Sequence, residues 1–138
     1  MNSPVTIDAS VFVSAFTPTE PAHAASKAFM IDVREQSIPI IVPVLVLPEI
    51  SAALSRGQGK PELGKAFVQE LKSFPNATFV DVDETVADLA VEVAAAHRLR
   101  GSDAVYAAVA LRFGTELVTL DREQLDRLPE IVSVRKPK

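Results

Sequence analysis

The chain has 138 residues, 48% of them hydrophobic, and this size and composition predict one globular domain with a single core, spanning residues 1–138. The net charge of −4 gives no sign of the strongly basic surface of many nucleic-acid-binding domains, although it does not exclude a local site. Cysteine is absent, which excludes disulfides, thiolate catalysis and cysteine-based zinc sites.

No segment is expected to enter a membrane. The most apolar run, residues 38–50, contains three prolines and is shorter than the roughly 20 residues that span a bilayer. Residues 1–10 lack the basic flank of a secretory signal. A cytoplasmic protein is therefore the default expectation.

The first half of the chain is predicted to fold as strand, helix, helix, strand and helix. These elements span residues 4–8, 10–16, 23–36, 40–42, and a last helix that has Pro48 in its first turn and ends near Gly57 and Gly59. The second half is predicted to hold a helix over 61–74, a strand over 78–82, helices over 85–98 and 102–113, a strand over 116–119, a short helix over 122–128 and a strand over 131–134.

Strands this short, separated by helical patterns, predict an α/β fold. The expected architecture is a three-layer α/β/α sandwich around a parallel sheet of about five strands. Four acids, Asp8, Glu49, Asp103 and Asp121, follow strands or begin helices in this scheme. Because strand ends and helix starts meet at the ligand-binding edge of an open parallel sheet, we expect these acids to share one pocket.

Each acid also has a purely structural explanation. Asp8 could cap the helix that follows it, and Glu49 and Asp103 lie in first turns, where the helix dipole favours negative charge. Asp121 has the best explanation as a cap, because Gln124 three residues later would complete a capping box. Capping alone, however, gives no reason for a carboxylate at all four places, since Ser, Thr or Asn serve equally well.

Four converging carboxylates repel one another unless cations lie between them. Oxygen-only ligands select hard ions such as Mg²⁺ or Mn²⁺. These ions lower the pKa of a bound water and stabilise the attacking and leaving oxygens of a phosphodiester displacement. The acids therefore predict hydrolysis of a phosphate ester.

The sequences around the acids resemble the PIN-domain family, and within it the VapC-like toxins of toxin–antitoxin pairs. The matching segments are IDAS at residues 7–10, LPEI at 47–50, GSDAVYAA at 101–108 and LVTLD at 117–121. They extend over nearly the whole chain, and no acidic position departs from the family pattern. The resemblance implies a PIN-like fold and an endoribonuclease dependent on Mg²⁺ or Mn²⁺, the toxin of a type II system.

The resemblance also implies roles for individual residues. Asp8, Glu49 and Asp103 would hold the main cation, and Asp121 would complete that site or hold a second ion. Ser10 and Thr119 match small polar positions beside the site, where hydroxyls orient a carboxylate or a water.

Three arginines, Arg98, Arg100 and Arg122, lie near the proposed pocket in sequence and are candidates for contacts to RNA phosphates. A solvated face, or for Arg98 and Arg100 a favourable position near a helix C-terminus, is the alternative. The partners implied by the resemblance are an RNA substrate, a second copy of the chain in a homodimer, and a cognate antitoxin that places a basic side chain in the acidic pocket.

Aromatic residues have less specific interpretations. Tyr106 is predicted to serve in packing rather than base stacking. Phe12, Phe16 and Phe29 are assigned either to the core or to a surface for self-association or antitoxin binding.

Other functions remain open at this point. The protein could be an RNA-processing PIN nuclease that is not a toxin, or a non-catalytic module whose acids are only caps. A phospho-accepting receiver-like domain could use Asp81 or Asp83 as acceptor with Lys136 as its lysine, although Asp8 lacks the paired acid such a site needs. An aspartyl phosphatase is disfavoured because position 10 is Ser rather than Asp.

Overall fold

Five parallel strands form the centre of the protein, and seven helices accompany them, in a computed structural model that describes residues 3–138 apart from the Gln58 side chain. Met1 and Asn2 of the predicted domain lie outside the described residues. The strands are β1 (Val5–Ile7), β2 (Ile40–Pro43), β3 (Ala77–Val80), β4 (Glu116–Val118) and β5 (Val134–Arg135). The helices are α1 (Ala9–Phe16), α2 (His23–Glu35), α3 (Val46–Gln58), α4 (Pro61–Lys72), α5 (Glu84–His97), α6 (Gly101–Phe113) and α7 (Arg122–Arg127).

The strand order is β3-β2-β1-β4-β5, with every pair parallel. Thr6 lies opposite Leu117 in the β1–β4 pair, and Val5 lies opposite Ile40 in the β1–β2 pair. The order of connection reverses between β1 and β4. In open α/β sheets this reversal creates a crevice outside the carboxyl ends of the strands, where ligands bind.

This topology removes the support for a receiver-like domain. Receiver-type folds of the flavodoxin class have the order 2-1-3-4-5, which differs from the order here. Asp81 follows β3 and Lys136 follows β5, and these strands lie at opposite edges of the sheet. Asp83 caps α5, where its Oδ1 accepts a hydrogen bond from the Val86 amide at 2.9 Å.

The helices pack in two groups. In the first, α1 packs against α2 and α3, and α3 packs against α4; in the second, α5 packs against α6. The sheet is contacted by α6 at β1, β2 and β4. Four buried alanines, Ala104, Ala107, Ala108 and Ala110, allow this close approach because their side chains are small. The first turn of α6 is thereby held near the switch point.

The predicted elements and the α/β class are confirmed, with differences at strand ends. The last strand is Val134–Arg135 rather than 131–134, because the amides of Ile131 and Val132 both donate to the carbonyl of Leu128 and close a turn after α7. Similarly, β3 ends at Val80 rather than residue 82.

The aromatic residues singled out in the sequence pack in or against the core. Phe12 and Phe29 are buried, and Phe16 stacks at a tilt on Phe67 with ring centroids 4.5 Å apart. The core interpretation is therefore confirmed for Phe12 and Phe29, whereas Phe16 is half-buried against the core. Within the described part of the chain, no helix combines the length and apolarity that crossing a membrane requires.

Candidate active site

A cleft of about 950 Å³ opens at the switch point, beside the residues that follow β1 and β4. Asp8, Glu49 and Asp103 all line it, although they belong to segments far apart in sequence. These three acids therefore meet in one cavity at the carboxyl ends of the strands, as expected from the sequence. The remaining polar and charged residues of its wall are Ser10, Ser14, Glu20, Arg56, Arg100, Ser102 and Arg122.

Asp8 links β1 to α1 and is held by the start of that helix. Its Oδ2 accepts a hydrogen bond from the Ser10 amide at 3.0 Å, so Asp8 is a true N-cap. Burial raises the pKa of the Asp8 carboxyl, and the charge of Asp121 raises it further, against hydrogen bonds from Ser10 and Gln124 that lower it. The poorly solvated position therefore favours the protonated form more than in a free carboxyl, and the hydrogen bonds offset only part of this effect.

Glu49 projects from the first turn of α3 and is fixed by Tyr106. The Tyr106 hydroxyl donates to Oε1 of Glu49 at 2.6 Å, and the ring is fully buried. Burial, followed by the charges of Asp8 and Glu49, raises the pKa of Tyr106, so the phenol remains a neutral donor. Tyr106 therefore packs in the core, as predicted, and also orients a carboxylate.

Asp103 lies in the first turn of α6 and pairs with Arg100 at 3.1 Å, Nε to Oδ2. Burial raises the pKa of Asp103 to about 6, helped by the charges of Asp121 and Asp8 and opposed by Arg100. In turn, Asp103 raises the pKa of the Arg100 guanidinium. The helix begins at Gly101, with Arg100 at the cap position, so Asp103 lies in its first turn as predicted.

Asp121 occupies the N-cap position of α7 but its side chain makes no capping hydrogen bond. Its Oδ2 is buried without a hydrogen-bond partner among residues 3–138. The predicted capping box with Gln124 is therefore wrong. Asp121 is not among the residues that line the cleft, so only three of the four acids share that cavity, but its charge acts on both Asp8 and Asp103.

Gln124 turns inward instead and is fully buried. Its Oε1 accepts from the Thr119 hydroxyl at 2.5 Å, and its Nε2 lies 3.4 Å from the backbone oxygen of Asp103. Thr119 Oγ1 also accepts from the Asp121 amide at 3.0 Å. The hydroxyl of Thr119 thus orients the backbone at Asp121, while Gln124 joins that segment to Asp8 and Asp103.

The other predicted polar residues divide into two sets. Ser10 lines the cleft, and its Oγ accepts from the Leu120 amide at 3.1 Å, which ties the start of α1 to the residues after β4. Arg100 and Arg122 also line the cleft. Arg98 ends α5 with a left-handed backbone and is not part of the wall.

Sequence reasoning missed three contributors: the hydrogen-bonding roles of Tyr106 and Gln124, and the position of Arg56 on the wall. The position of Arg56 could have been predicted, because Arg56 lies two helical turns after Glu49 and therefore on the same face of α3. The burial of the Gln124 side chain could not have been predicted, since its spacing from Asp121 also fits a capping box.

The donor chemistry of this cleft fits a hard divalent cation. The three candidate acids of its wall and the nearby Asp121 all offer oxygen ligands, and one carboxylate oxygen of Asp121 is buried without a hydrogen-bond partner within residues 3–138. In residues 3–138, no three His, Asp or Glu side chains are grouped so as to hold a metal ion as they stand. Asp103 is engaged by Arg100 and Glu49 by Tyr106, so a cation would require side chains to turn toward a common point.

Comparison with known proteins gives consistent matches. A family model described as PIN domain matches residues 5–131. VapC20 from Mycobacterium tuberculosis, a toxin that cleaves the sarcin-ricin loop, aligns with a TM-score of 0.74 and 18% identity over 95% of this chain and 98% of that chain. VapBC2 from Rickettsia felis, solved bound to a promoter DNA fragment, aligns with a TM-score of 0.72 and 14% identity over 98% and 99%.

A third structure, PAE2754 from Pyrobaculum aerophilum, aligns with a TM-score of 0.65 and 24% identity over 99% of this chain and 92% of that chain. No curated protein matches the sequence. At these identities, the solved structures establish a common fold.

Proposed function

The chain belongs to the PIN-domain family, and from that premise we propose that it is a metal-dependent endoribonuclease, the toxin of a type II toxin–antitoxin pair. The observation that carries the proposal is the meeting of Asp8, Glu49 and Asp103 in one cleft at the switch point of the sheet. The buried Oδ2 of Asp121, which has no hydrogen-bond partner in the described part of the chain, supports a cation rather than a set of helix caps. The one-domain organisation of residues 1–138 is part of this proposal.

Each acid has a proposed task. Asp8, Glu49 and Asp103 hold Mg²⁺ or Mn²⁺, and Asp121 completes that site or holds a second ion. The bound cation would supply a water of lowered pKa and neutralise charge at the phosphodiester. Ser10 and Thr119 fix the backbone that presents Asp8 and Asp121.

Two arginines are suited to bind the substrate. The Arg100 side chain is 72% exposed even while it pairs with Asp103. A long exposed side chain can rotate from the carboxylate to a phosphate oxygen, which the guanidinium binds with two parallel hydrogen bonds. Arg122 reaches the same cleft from α7.

The proposed partners follow from the kind of protein matched. Several matched structures are toxin–antitoxin complexes, which supports a toxin over a processing nuclease. We infer a cytoplasmic homodimer and a cognate antitoxin that inserts a basic side chain among the acids of the cleft. Light scattering that gave only monomer at micromolar concentration would count against the dimer, and growth unaffected by expression of the chain would count against the toxin.

The direct test is cleavage of a labelled single-stranded RNA by the purified protein with Mg²⁺ or Mn²⁺, and with chelator. We expect cleavage only with metal, and a loss of more than about a hundredfold in Asp8→Asn and Asp103→Asn. Asp83→Asn, which alters an acid that caps α5, is the matched control and should cleave normally. Undiminished cleavage by Asp103→Asn would overturn the assignment.

A further inference from the structure

The acidic cleft continues along α3 into a second hollow of about 600 Å³. Val13, Glu20 and Ala53 line both cavities, so the two form one groove. The far end of the groove is formed by Lys60 and by residues 17–19, which follow α1. A ligand bound at the acids would therefore extend between α3 and the α1–α2 connection.

The α3 wall of this groove carries two cations. Arg56 lies seven residues after Glu49 on the same helix, about 10 Å further along its axis and on nearly the same face. Lys60 follows the end of that helix. Both side chains are exposed, and neither makes an ion pair or hydrogen bond with the part of the chain that the structure describes.

The α1–α2 connection, which also lines the groove, carries the reverse charge. Glu20, in the connection between α1 and α2, is exposed and lines both cavities. A polyanion in the groove would be repelled by Glu20 and attracted by Arg56 and Lys60, so its phosphates would follow α3. Base edges would then face the α1–α2 connection.

The far part of the groove offers small or apolar surface between its charged rims. Val13, Ala53, Leu54 and Gly57 line it, and no aromatic side chain is among its lining residues in the described chain. Without a ring for base stacking, binding energy must come mainly from phosphate contacts, which are insensitive to base identity. Cavities of roughly 300–1,000 Å³ take one drug-sized ligand, so this hollow accommodates one or two nucleotides of a single strand.

We propose that single-stranded RNA flanking the scissile phosphate lies in this groove, with Arg56 and Lys60 contacting its backbone phosphates. The proposal rests on the proposed nuclease function and assigns its substrate class and a binding path. Arg56 and Lys60 act on binding and not on the reacting atoms, so they govern KM and leave kcat unchanged.

The test compares wild type with the double variant Arg56→Gln/Lys60→Gln in steady-state cleavage of a labelled twelve-nucleotide RNA across a salt series. We expect KM to rise about tenfold at low salt with kcat unchanged. The slope of log(1/KM) against the logarithm of the salt concentration should become shallower by about 1.4. This value corresponds to the loss of two phosphate contacts, at about 0.7 each for single strands. Glu20→Gln should lower KM because it removes the repelling charge.

The matched control is Lys72→Gln/Arg112→Gln, which removes the same two charges at the ends of α4 and α6, outside the groove. An unchanged KM and salt slope in the groove variant, an equal effect in the control, or a fall in kcat alone would overturn the proposal. Competition by duplex RNA as strong as by single strands would overturn the single-strand assignment. If wild type itself neither binds nor cleaves RNA, the proposed nuclease function fails instead.

Discussion

The hydroxyl of Tyr106, the only tyrosine in the chain, donates to the carboxylate of Glu49 from a fully buried ring. A hydrogen bond to a charged acceptor is stronger than one between neutral groups, and it restricts the rotamers that the acceptor can adopt. Tyr106 therefore positions Glu49, and under the proposed function it would affect a bound cation only through that carboxylate.

We predict that Tyr106→Phe lowers Mn²⁺ affinity about fivefold in calorimetry and costs about 1 kcal/mol of unfolding free energy, since one buried hydrogen bond is lost. Thr115→Val is the matched control, because the Thr115 hydroxyl is buried and bonds Thr6 at 2.5 Å, away from the cleft. That control should lose similar stability and keep its Mn²⁺ affinity. Equal Mn²⁺ affinities for Tyr106→Phe and wild type would exclude the positioning role.

A second prediction at this scale concerns Asp121. Its side chain makes no capping bond, and its charge lies near Asp8 and Asp103. Asp121→Ala should therefore leave the unfolding free energy of the metal-free protein unchanged or higher in urea titrations, and should reduce the stabilisation by Mn²⁺. Asp83→Ala, which removes a real cap, should cost about 1 kcal/mol. An equal loss of unfolding free energy in Asp121→Ala would instead support the interpretation of Asp121 as a helix cap.

The contrast between Asp8 and Asp121 marks what the sequence could predict at the level of single residues. Both positions suit a cap by sequence, and Asp121 had the stronger pattern, yet only Asp8 caps its helix. At Asp121 the capping box is replaced by other hydrogen bonds. The Asp121 amide donates to the Thr119 hydroxyl, and Gln124 is buried and accepts a hydrogen bond from the same hydroxyl. Those contacts depend on tertiary packing, which local spacing does not encode.

At the scale of elements, the α3–α4 pair depends on one glycine. A Cβ at Gly64 would lie 2.7 Å from the backbone oxygen of Ser51 and 2.8 Å from the hydroxyl of Ser55. The backbone oxygen belongs to a helix and cannot retreat on its own. Gly64 therefore sets the separation of the two helices, and α3 carries Glu49 and Arg56.

We predict that Gly64→Ala destabilises the protein by about 1–2 kcal/mol, since the forced separation of the helices outweighs the gain in helix propensity. Gly57→Ala is the matched control, because a Cβ there meets nothing within 4 Å and Gly57 lies inside α3. That variant should gain about 0.5–1 kcal/mol. Chemical denaturation of both variants measures the difference, and a stabilised Gly64→Ala would show that α4 moves freely.

Most elements could be predicted because their patterns and boundaries agree. A proline begins α4 and a glycine ends α3, and the short apolar strands alternate with helices. The last strand could not be placed, since Ile131 and Val132 are β-branched and apolar but are drawn into a turn by the Leu128 carbonyl. Propensity favours a strand there, and the end of α7 determines the backbone instead.

At the scale of the whole molecule, the acidic cluster couples stability to pH and, under the proposed function, to cation binding. Burial and neighbouring charges raise the pKa of Asp103 to about 6. A raised acid pKa stabilises the fold fully below the unfolded value of 3.8, and that contribution is lost as pH rises through about 6. Above pH 6 the metal-free protein therefore carries an unfavourable ionised group, which a cation would stabilise.

We predict that Mn²⁺ raises the melting temperature more at pH 7.5 than at pH 5.5. The affinity of the protein for Mn²⁺ should fall by up to about tenfold per pH unit below 6, because protons compete with the cation for Asp103. Thermal unfolding with and without MnCl₂ across this range measures both. Asp103→Asn should lose most of the pH dependence. A pH-independent shift in wild type would contradict the coupling.

The candidate site could be predicted at the scale of the molecule because parallel strands direct their ends to one edge. That rule placed Asp8, Glu49 and Asp103 in one cleft. The rule could not predict the groove beyond these acids, since Arg56 and Glu20 come to one cleft only through the packing of α1 against α3.

The placement of β1 beside β4 also has a consequence for synthesis. The Ser10 hydroxyl and the Leu120 amide, which join the two halves of the cleft, lie 110 residues apart in the chain. A ribosome translating this protein therefore holds an incomplete site for most of elongation, because the partner strand and Asp121 have not yet been made. Under the proposed nuclease function, a product truncated before β4 would lack part of the cleft and should not cleave RNA.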